Sequence, residues 1–377
     1  MAFRINSYQQ LSLTDSYSGL TCREQQALER SWAKTFSEDI FPSIDEEPFA
    51  VLYSSNASRP NTPVNVCIGA LIIKEVFGIS DDEIVENLML DPRYQYALHT
   101  TSYEEQPLSD KSLSRFRKRC YDYESVYGVD LLHNCIVGLS DKIAKMMDIN
   151  PRIKRMDSMM IAANIRKLSR TELLYTCVAK MVIYLHKNNQ KDLPKKFDHY
   201  CDPNDYNRTF YYNNDSETDN QLKTVLEDAD ELLSVCGSDY DDVTEYQLLI
   251  RCLSEQTVVD EAVRRLRTKE DGGFHSGMLQ NPSDPDATFR TKAGKEHQGY
   301  VANLEETVGK NGSVITDYQY EKNNYSDSQF LKDSLDRSEV QEDETTLITD
   351  GAYSGKENHD LATGKNIRLI NTDLSGK

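Results

Sequence analysis

Arg152-Ile-Lys-Arg-Met-Asp-Ser-Met-Met-Ile-Ala-Ala163 alternates with a two-residue period. Ile153, Arg155, Asp157, Met159 and Ile161 share one face, so the segment predicts a β-strand. Everything before it reads as helix. Thr21-Cys-Arg-Glu24 is a capping box opening a helix to about Thr35, and a Pro-punctuated stretch (Pro42, Pro48, Pro60, Pro63) follows. An apolar run from Val64 to Phe77 closes at Gly78, and Ser80-Asp-Asp-Glu83 starts the next helix. Ser109 or Ser112 can cap a basic helix in which Leu113 and Phe116 sit beside Lys111, Arg115, Arg117, Lys118 and Arg119. An amphipathic stretch from Val126 to Met147 completes the helical front portion.

Beyond the strand, Ser169-Arg-Thr-Glu172 is another capping box, with Leu173, Leu174, Cys177, Val178, Met181 and Leu185 on the buried side of its helix. An acidic segment from about Asp198 to Asp242 reads as a loosely ordered, solvated middle, and a further helix is expected from Val243 to Lys269. Strand signals return at Gly299 to Thr307 and Ser313 to Tyr320, across the turn cluster Gly309-Lys-Asn-Gly312. Ser326-Asp-Ser-Gln329 caps a helix. Thr345 to Thr349 is a short strand, a short helix starts after Ser354, and Ile367 to Ile370 is a last strand. Without the insertion, the order is that of a ribonuclease-H-like fold, three antiparallel strands and then two helix-linked strands parallel to the first. The expectation is an α+β chain: an all-α N-terminal domain, then a mixed β-sheet core interrupted by a large helical insertion. The expected divisions are an arm and helix at 1–48, a helical domain at 49–150, the first strand at 151–166, the acidic insertion at 167–280 and the rest of the core at 281–377.

The 377 residues, 38% of them hydrophobic, suffice for a sizeable core. With no long apolar run and no signal-peptide pattern at Met1 to Gln10, the chain is expected in the cytoplasm without a membrane partner. Its eight cysteines never fall as CxxC and its seven histidines show no paired ligand spacing, which excludes a zinc site or a disulfide framework as the organising element. A net charge of −19 argues against a nucleic-acid partner only until its distribution is seen. Asp198 to Glu245 holds fourteen acids against two bases, whereas Pro151 to Arg170 holds six bases and one acid. Lys111 to Arg119 holds five bases and no acid, which suits a helix lying on a phosphate backbone.

If the first and fourth core strands are neighbours, Asp157 and Asp350 project to one end of the sheet. Paired carboxylates offer the hard oxygen ligands that Mg²⁺ (or Mn²⁺) prefers, and two such ions can clamp an in-line phosphoryl displacement. Taken singly, Asp157 also reads as a capping or salt-bridged aspartate, and Asp350, before Gly351, as a turn aspartate.

Met156-Asp-Ser-Met-Met-Ile-Ala-Ala-Asn-Ile165 resembles the first-aspartate motif of DDE transposases. Asn281-Pro-Ser-Asp-Pro-Asp-Ala-Thr-Phe-Arg290 with His297-Gln-Gly-Tyr300, and Thr349-Asp-Gly-Ala-Tyr-Ser-Gly355, are similar to the segments around that family's second strand and second aspartate. Arg59-Pro60, Ile79-Ser-Asp-Asp-Glu83 and Ser112-Leu-Ser-Arg-Phe-Arg117 resemble the helical N-terminal domain of bacterial insertion-sequence transposases. The resemblance implies DNA transposition: water cleaves the phosphodiester at the element's end, and the freed 3′-hydroxyl attacks target DNA. It implies Asp157 and Asp350 as catalytic metal ligands for two ions, terminal inverted repeats and target DNA as partners, and a homodimer in the synaptic complex. Tyr353 would contact the bound strand or steady the turn. The family also needs a Glu on a helix after the last strand, and none occurs in Asn371 to Lys377. The expectation is therefore a C-terminally truncated product, inactive alone. The alternative is a catalytically dead remnant that binds terminal-repeat DNA or intact transposase.

Overall fold

The computed structural model describes residues 1–6, 17–54, 56, 59–100, 108–109, 111–150, 152–188, 193–211, 218–261, 263–292 and 294–372. Residues 373–377, on which the expected lack of a third acid partly falls, lie outside them. The chain forms two compact units: Met1–Arg155 with Glu305–Tyr318 and Asp343–Ile348, and Met156–Leu304 with Gln319–Glu342 and Thr349–Lys377.

The first unit is mainly helical: α1 (Cys22–Glu29), α2 (Trp32–Thr35), α3 (Val64–Phe77), α4 (Asp81–Leu90), α5 (Pro92–Ala97), α6 (Ser112–Tyr127) and α7 (Leu131–Met146). Both expected capping boxes form, at Thr21 with Glu24 and at Ser80 with Glu83, and Gly78 ends α3 at φ 64°. Three local expectations need correction. Ser31 recaps the chain, so the first helix splits in two. The Ser112 hydroxyl accepts from the Ser109 N–H, and Lys111 is the N-cap of α6 with no side-chain cap. Val126 belongs to α6, which Gly128 terminates in the left-handed region, and Asp130 caps a separate α7. Leu113, Phe116 and Cys120 of α6 pack into the same apolar cluster as Phe49, Ile68, Leu88 and Leu139.

Among the described residues, the strands are β1 (Ile153–Ala162), β2 (Thr257–Asp260), β3 (Val263–Leu266), β4 (Thr288–Lys292), β5 (Lys295–Gly309), β6 (Gly312–Lys322), β7 (Thr345–Thr349) and β8 (Ile367–Asn371). The main sheet is mixed and runs β4-β5-β1-β7-β8, with β6 also paired to β5. β1 and β7 pair in parallel, with Ile153 opposite Thr346 and Arg155 opposite Ile348. β4 was not foreseen; it pairs antiparallel with the start of β5. Gly299 of β5 answers a close approach. At φ +143°, a Cβ there would lie 2.3 Å from the Ile161 carbonyl oxygen and 2.5 Å from the Ala163 nitrogen.

In the second unit, α8 (Arg170–Asn188), α9 (Asp205–Tyr211), α10 (Thr218–Cys236) and α11 (Thr244–Gln256) precede the β2–β3 hairpin, while α12 (Asp327–Arg337) and α13 (Lys356–Gly364) flank β7. For its described residues the expectation of a loosely ordered acidic middle is corrected here, and residues 212–217 of it lie outside the described residues. Leu226, Ala229, Leu232 and Cys236 of α10 pack with Leu174, Cys177 and Met181 of α8 and Leu249 and Cys252 of α11. Two acids of the block are buried: Asp205 accepts from the Tyr175 hydroxyl (2.5 Å) and Asp228 from the Tyr200 hydroxyl (2.9 Å). The expected helix to Lys269 is also corrected, because β-branched Thr257, Val258 and Val259 favour the extended state and Glu261 turns the chain at φ 46°.

Candidate active site and basic helix

Continuing the β1–β7 register two residues past Arg155 and Ile348 brings Asp157 opposite Asp350. Asp350 keeps extended backbone (φ −78°, ψ 175°), so the parity holds and both carboxylates fall on one face of neighbouring strands. Strands in a sheet lie about 5 Å apart, so that continuation would set the two acids near each other.

Each carboxylate is anchored by its own backbone. Asp157 Oδ1 accepts from the Ser158 N–H (2.7 Å), and Asp350 Oδ1 accepts from the Ala352 N–H (2.9 Å). Neither carboxylate has an ion-pair partner among the described residues, although bases flank Asp157 in sequence. Those bases are engaged elsewhere: Arg152 with Asp343 (2.7 Å), Lys154 with Glu305 (2.7 Å) and Arg155 with Glu306 (2.6 Å). The salt-bridged reading of Asp157 is thereby set aside.

Tyr353 is corrected from a possible strand contact to a buried brace. Its side chain is 0% exposed, and its hydroxyl donates to Asn303 Oδ1 of β5 at 2.6 Å. Burial pushes this hydroxyl far above its ordinary pKa, the charges of Asp327, Asp157 and Asp350 add to the rise, and a hydrogen bond with Ser158 opposes it. Asp157 and Asp350 therefore both lie within electrostatic reach of one hydroxyl. Asn358, itself buried, donates to the Tyr353 carbonyl at 2.7 Å and holds the turn from α13. Beside it, the Thr372 N–H donates to the Thr349 carbonyl (2.8 Å) and Asn371 Nδ2 to Thr349 Oγ1 (2.8 Å), so the ends of β7 and β8 lie together. No three His, Cys, Asp or Glu side chains converge as a metal site among the described residues.

The five bases of α6 and its cap do not share one environment. Arg117 donates twice to Asp81 (3.2 and 2.5 Å), and Arg119 lies over the Tyr53 ring at 5.2 Å. Lys118 pairs with Asp122 at 3.1 Å, an exposed pair of little strength. Lys111 and Arg115 are exposed, with no side-chain partner among the described residues. Lys111, Arg115 and Lys118 fall at i, i+4 and i+7, so these three form the outer stripe of the helix.

No described helix is long and apolar enough to cross a membrane. No curated protein matches the chain, and no solved structure does. A family model does match, over residues 25–119, from within α1 to within α6, and its description is "Transposase domain (DUF772)". Residues 25–119, Lys111 and Arg115 among them, are thus similar to a transposase domain.

Proposed function

We propose that this transposase acts directly on DNA by metal-dependent phosphoryl transfer of the DDE type, with Asp157 and Asp350 as shared ligands of a divalent ion, Mg²⁺ or Mn²⁺. The observation that supports the reading is the parallel pairing of β1 with β7, Arg155 opposite Ile348, which if continued by two residues would set Asp157 opposite Asp350. A ribonuclease-H-like core accounts for the strand sequence β6-β5-β1-β7-β8.

The donor set fits such an ion. Both side chains offer hard oxygens, no base neutralises them, and in each the Oδ1 atom is fixed by a neighbouring backbone N–H while Oδ2 stays without a protein partner among the described residues. A divalent ion bound there supplies positive charge to a phosphodiester undergoing in-line displacement by water or by a 3′-hydroxyl. The chain's own part is positional. Ser158 and Ala352 orient the carboxylates, and Tyr353 ties the Asp350 turn to β5 through Asn303. Two ions in a complete site need further acidic ligands. The backbone leaving β8 starts beside Thr349, next to the two carboxylates. The outer stripe Lys111, Arg115 and Lys118 is proposed as the surface that meets the DNA backbone, with terminal repeats and target DNA as substrates.

The test is Mn²⁺ binding, followed by the free-ion electron paramagnetic resonance signal, in the wild type and in Asp157→Asn and Asp350→Asn. Each substitution should weaken binding at least about tenfold, the lower figure for losing even an outer partner of a metal's ligand. Undiminished Mn²⁺ binding in both variants would falsify the site.

A further inference from the structure

Every position near the β2–β3 hairpin would be expected to find an acid, since the chain carries 62 acids against 43 bases. Arg264 and Arg265 follow that expectation, pairing with Asp230 and with Asp260 and Asp271. Their neighbours do not. Arg170 donates to Gln256 Oε1 (2.8 Å), the Gln256 carbonyl (2.5 Å) and the Arg267 carbonyl (2.7 Å). Arg267 donates to the carbonyls of Glu255, Gly272 and Ser254. Neither guanidinium meets a carboxylate among the described residues. Burial lowers the Arg170 pKa and the charge of Arg267 lowers it further, the mark of two close cations without a counterion.

Gln256, Phe274, His275, Phe289, Arg290 and Tyr325 line an open cleft of about 700 Å³, and Arg170 adjoins it through its contacts with Gln256 and Phe274. Arg290 is likewise held only by carbonyls, of Asn323 (3.1 Å) and Tyr325 (3.2 Å). Phe274 is 45% exposed, and Arg170 lies against its ring at 5.4 Å. An exposed aromatic ring beside guanidiniums that lack acids combines a stacking surface with a phosphate-binding one, as nonspecific single-strand sites do.

We infer that this cleft binds an unpaired nucleotide of single-stranded DNA, its base stacked on Phe274 and its phosphate set against Arg290 and Arg170. The choice of DNA over another polyanion rests on the function proposed above, but the site shares no residue with the Asp157–Asp350 pair.

The experiment measures fluorescence anisotropy of a labelled dT12 oligonucleotide with the full chain in EDTA, where no divalent ion contributes. Phe274→Ala, at an exposed position that the fold tolerates, should weaken binding about 5- to 100-fold, the range for one base–aromatic stack. Arg170→Gln, checked for native circular dichroism, should reduce the slope of log affinity against log salt by about 0.7, one phosphate contact on a single strand. An abasic dodecamer should bind the wild type about as weakly as dT12 binds Phe274→Ala. Equal affinity for dT12 and the abasic strand, unchanged binding by Phe274→Ala, or complete displacement by millimolar inorganic phosphate would each overturn the assignment. Because Asp157→Asn tests the catalytic reading separately, failure of one proposal is distinguishable from failure of the other.

Discussion

Tyr353→Phe removes one oxygen from the middle of the candidate site and nothing else. That oxygen is fully buried and donates to Asn303 Oδ1, and Asn303 is only 2% exposed. The variant leaves the Asn303 acceptor with neither this donor nor access to water. An orphaned buried acceptor costs about 1–3 kcal/mol. The ring itself stays, so no cavity term adds. Tyr353→Ala, by contrast, empties an aromatic side chain from the interior and should cost roughly 3–5 kcal/mol. The control is the double variant Tyr353→Phe with Asn303→Leu, which replaces both partners by apolar groups. Such a swap is nearly neutral when the shape is kept, so the double variant should be more stable than the sum of the two single losses predicts.

Urea denaturation with fluorescence and circular dichroism measures these differences, and coincidence of the two probes checks that each transition is two-state. The functional readout is Mn²⁺ affinity, because the same oxygen ties the turn after Asp350 to β5. A loss of stability together with weaker Mn²⁺ binding marks Tyr353 as a positioning residue, whereas lost stability alone marks a purely structural one. If Tyr353→Phe leaves the urea midpoint unchanged, the bond to Asn303 is not the brace described here.

Gly299→Ala places a methyl group against the backbone of Ile161 and Ala163, which cannot rotate away, and should cost about 3 kcal/mol, the upper part of the range for overpacking; a native urea midpoint would show that β5 can retreat. His133 Nε2 bonds Asp317 Oδ1 (2.9 Å) in the first unit, and that bond raises the His133 pKa above its ordinary value. The raised folded-state value means that this stabilisation is complete below the unfolded pKa near 6.5 and disappears as pH rises through the folded one, so Asp317→Asn should flatten the pH–stability curve across that window. On α6, Arg115→Gln should reduce the salt slope of duplex binding by about 0.9, while Asp81→Asn, which frees Arg117, should not reduce it; the reverse order in filter-binding titrations would place the DNA on another face.

What the sequence made legible was whatever is encoded locally. The capping boxes at Thr21, Ser80 and Ser169 form, because hydroxyl and carboxylate three residues apart need only one helical turn to meet. The strand at Ile153–Ala162 was legible from its alternation, and the parallel pairing of β1 with β7 was legible from the strand order. What escaped depends on distant partners. Asp205 and Asp228 read as solvated acids because Tyr175 and Tyr200, which bury them, lie about thirty residues earlier. The β2–β3 hairpin escaped because Val258, Val259, Val263 and Leu266 also satisfy a helical spacing; the β-branched run from Thr257 was the available signal. The basic count on α6 was right, yet it could not reveal that Asp81 and Tyr53 occupy Arg117 and Arg119.

The arrangement around Asp157 is hard to explain by stability alone. Six bases lie between Pro151 and Arg170, and pairing one of them with Asp157 or Asp350 would relieve the repulsion of two like charges, although water screens the exposed Asp157. Instead, Arg152, Lys154 and Arg155 pair with Asp343, Glu305 and Glu306. Lys154 and Arg155 stand only three and two residues before Asp157, and β-strand alternation puts Arg155 on its face. A glutamate on β5 draws each of them away, so the acidic pair keeps its oxygens open. Repulsion of this kind favours whatever cation enters, and a divalent ion gains most because it meets both charges at once. The same logic separates this site from the cleft beside Phe274, where two guanidiniums meet carbonyls and no acid. One place in the second unit is short of positive charge and another short of negative charge, which is the pairing that a metal ion and a phosphate strand would complete.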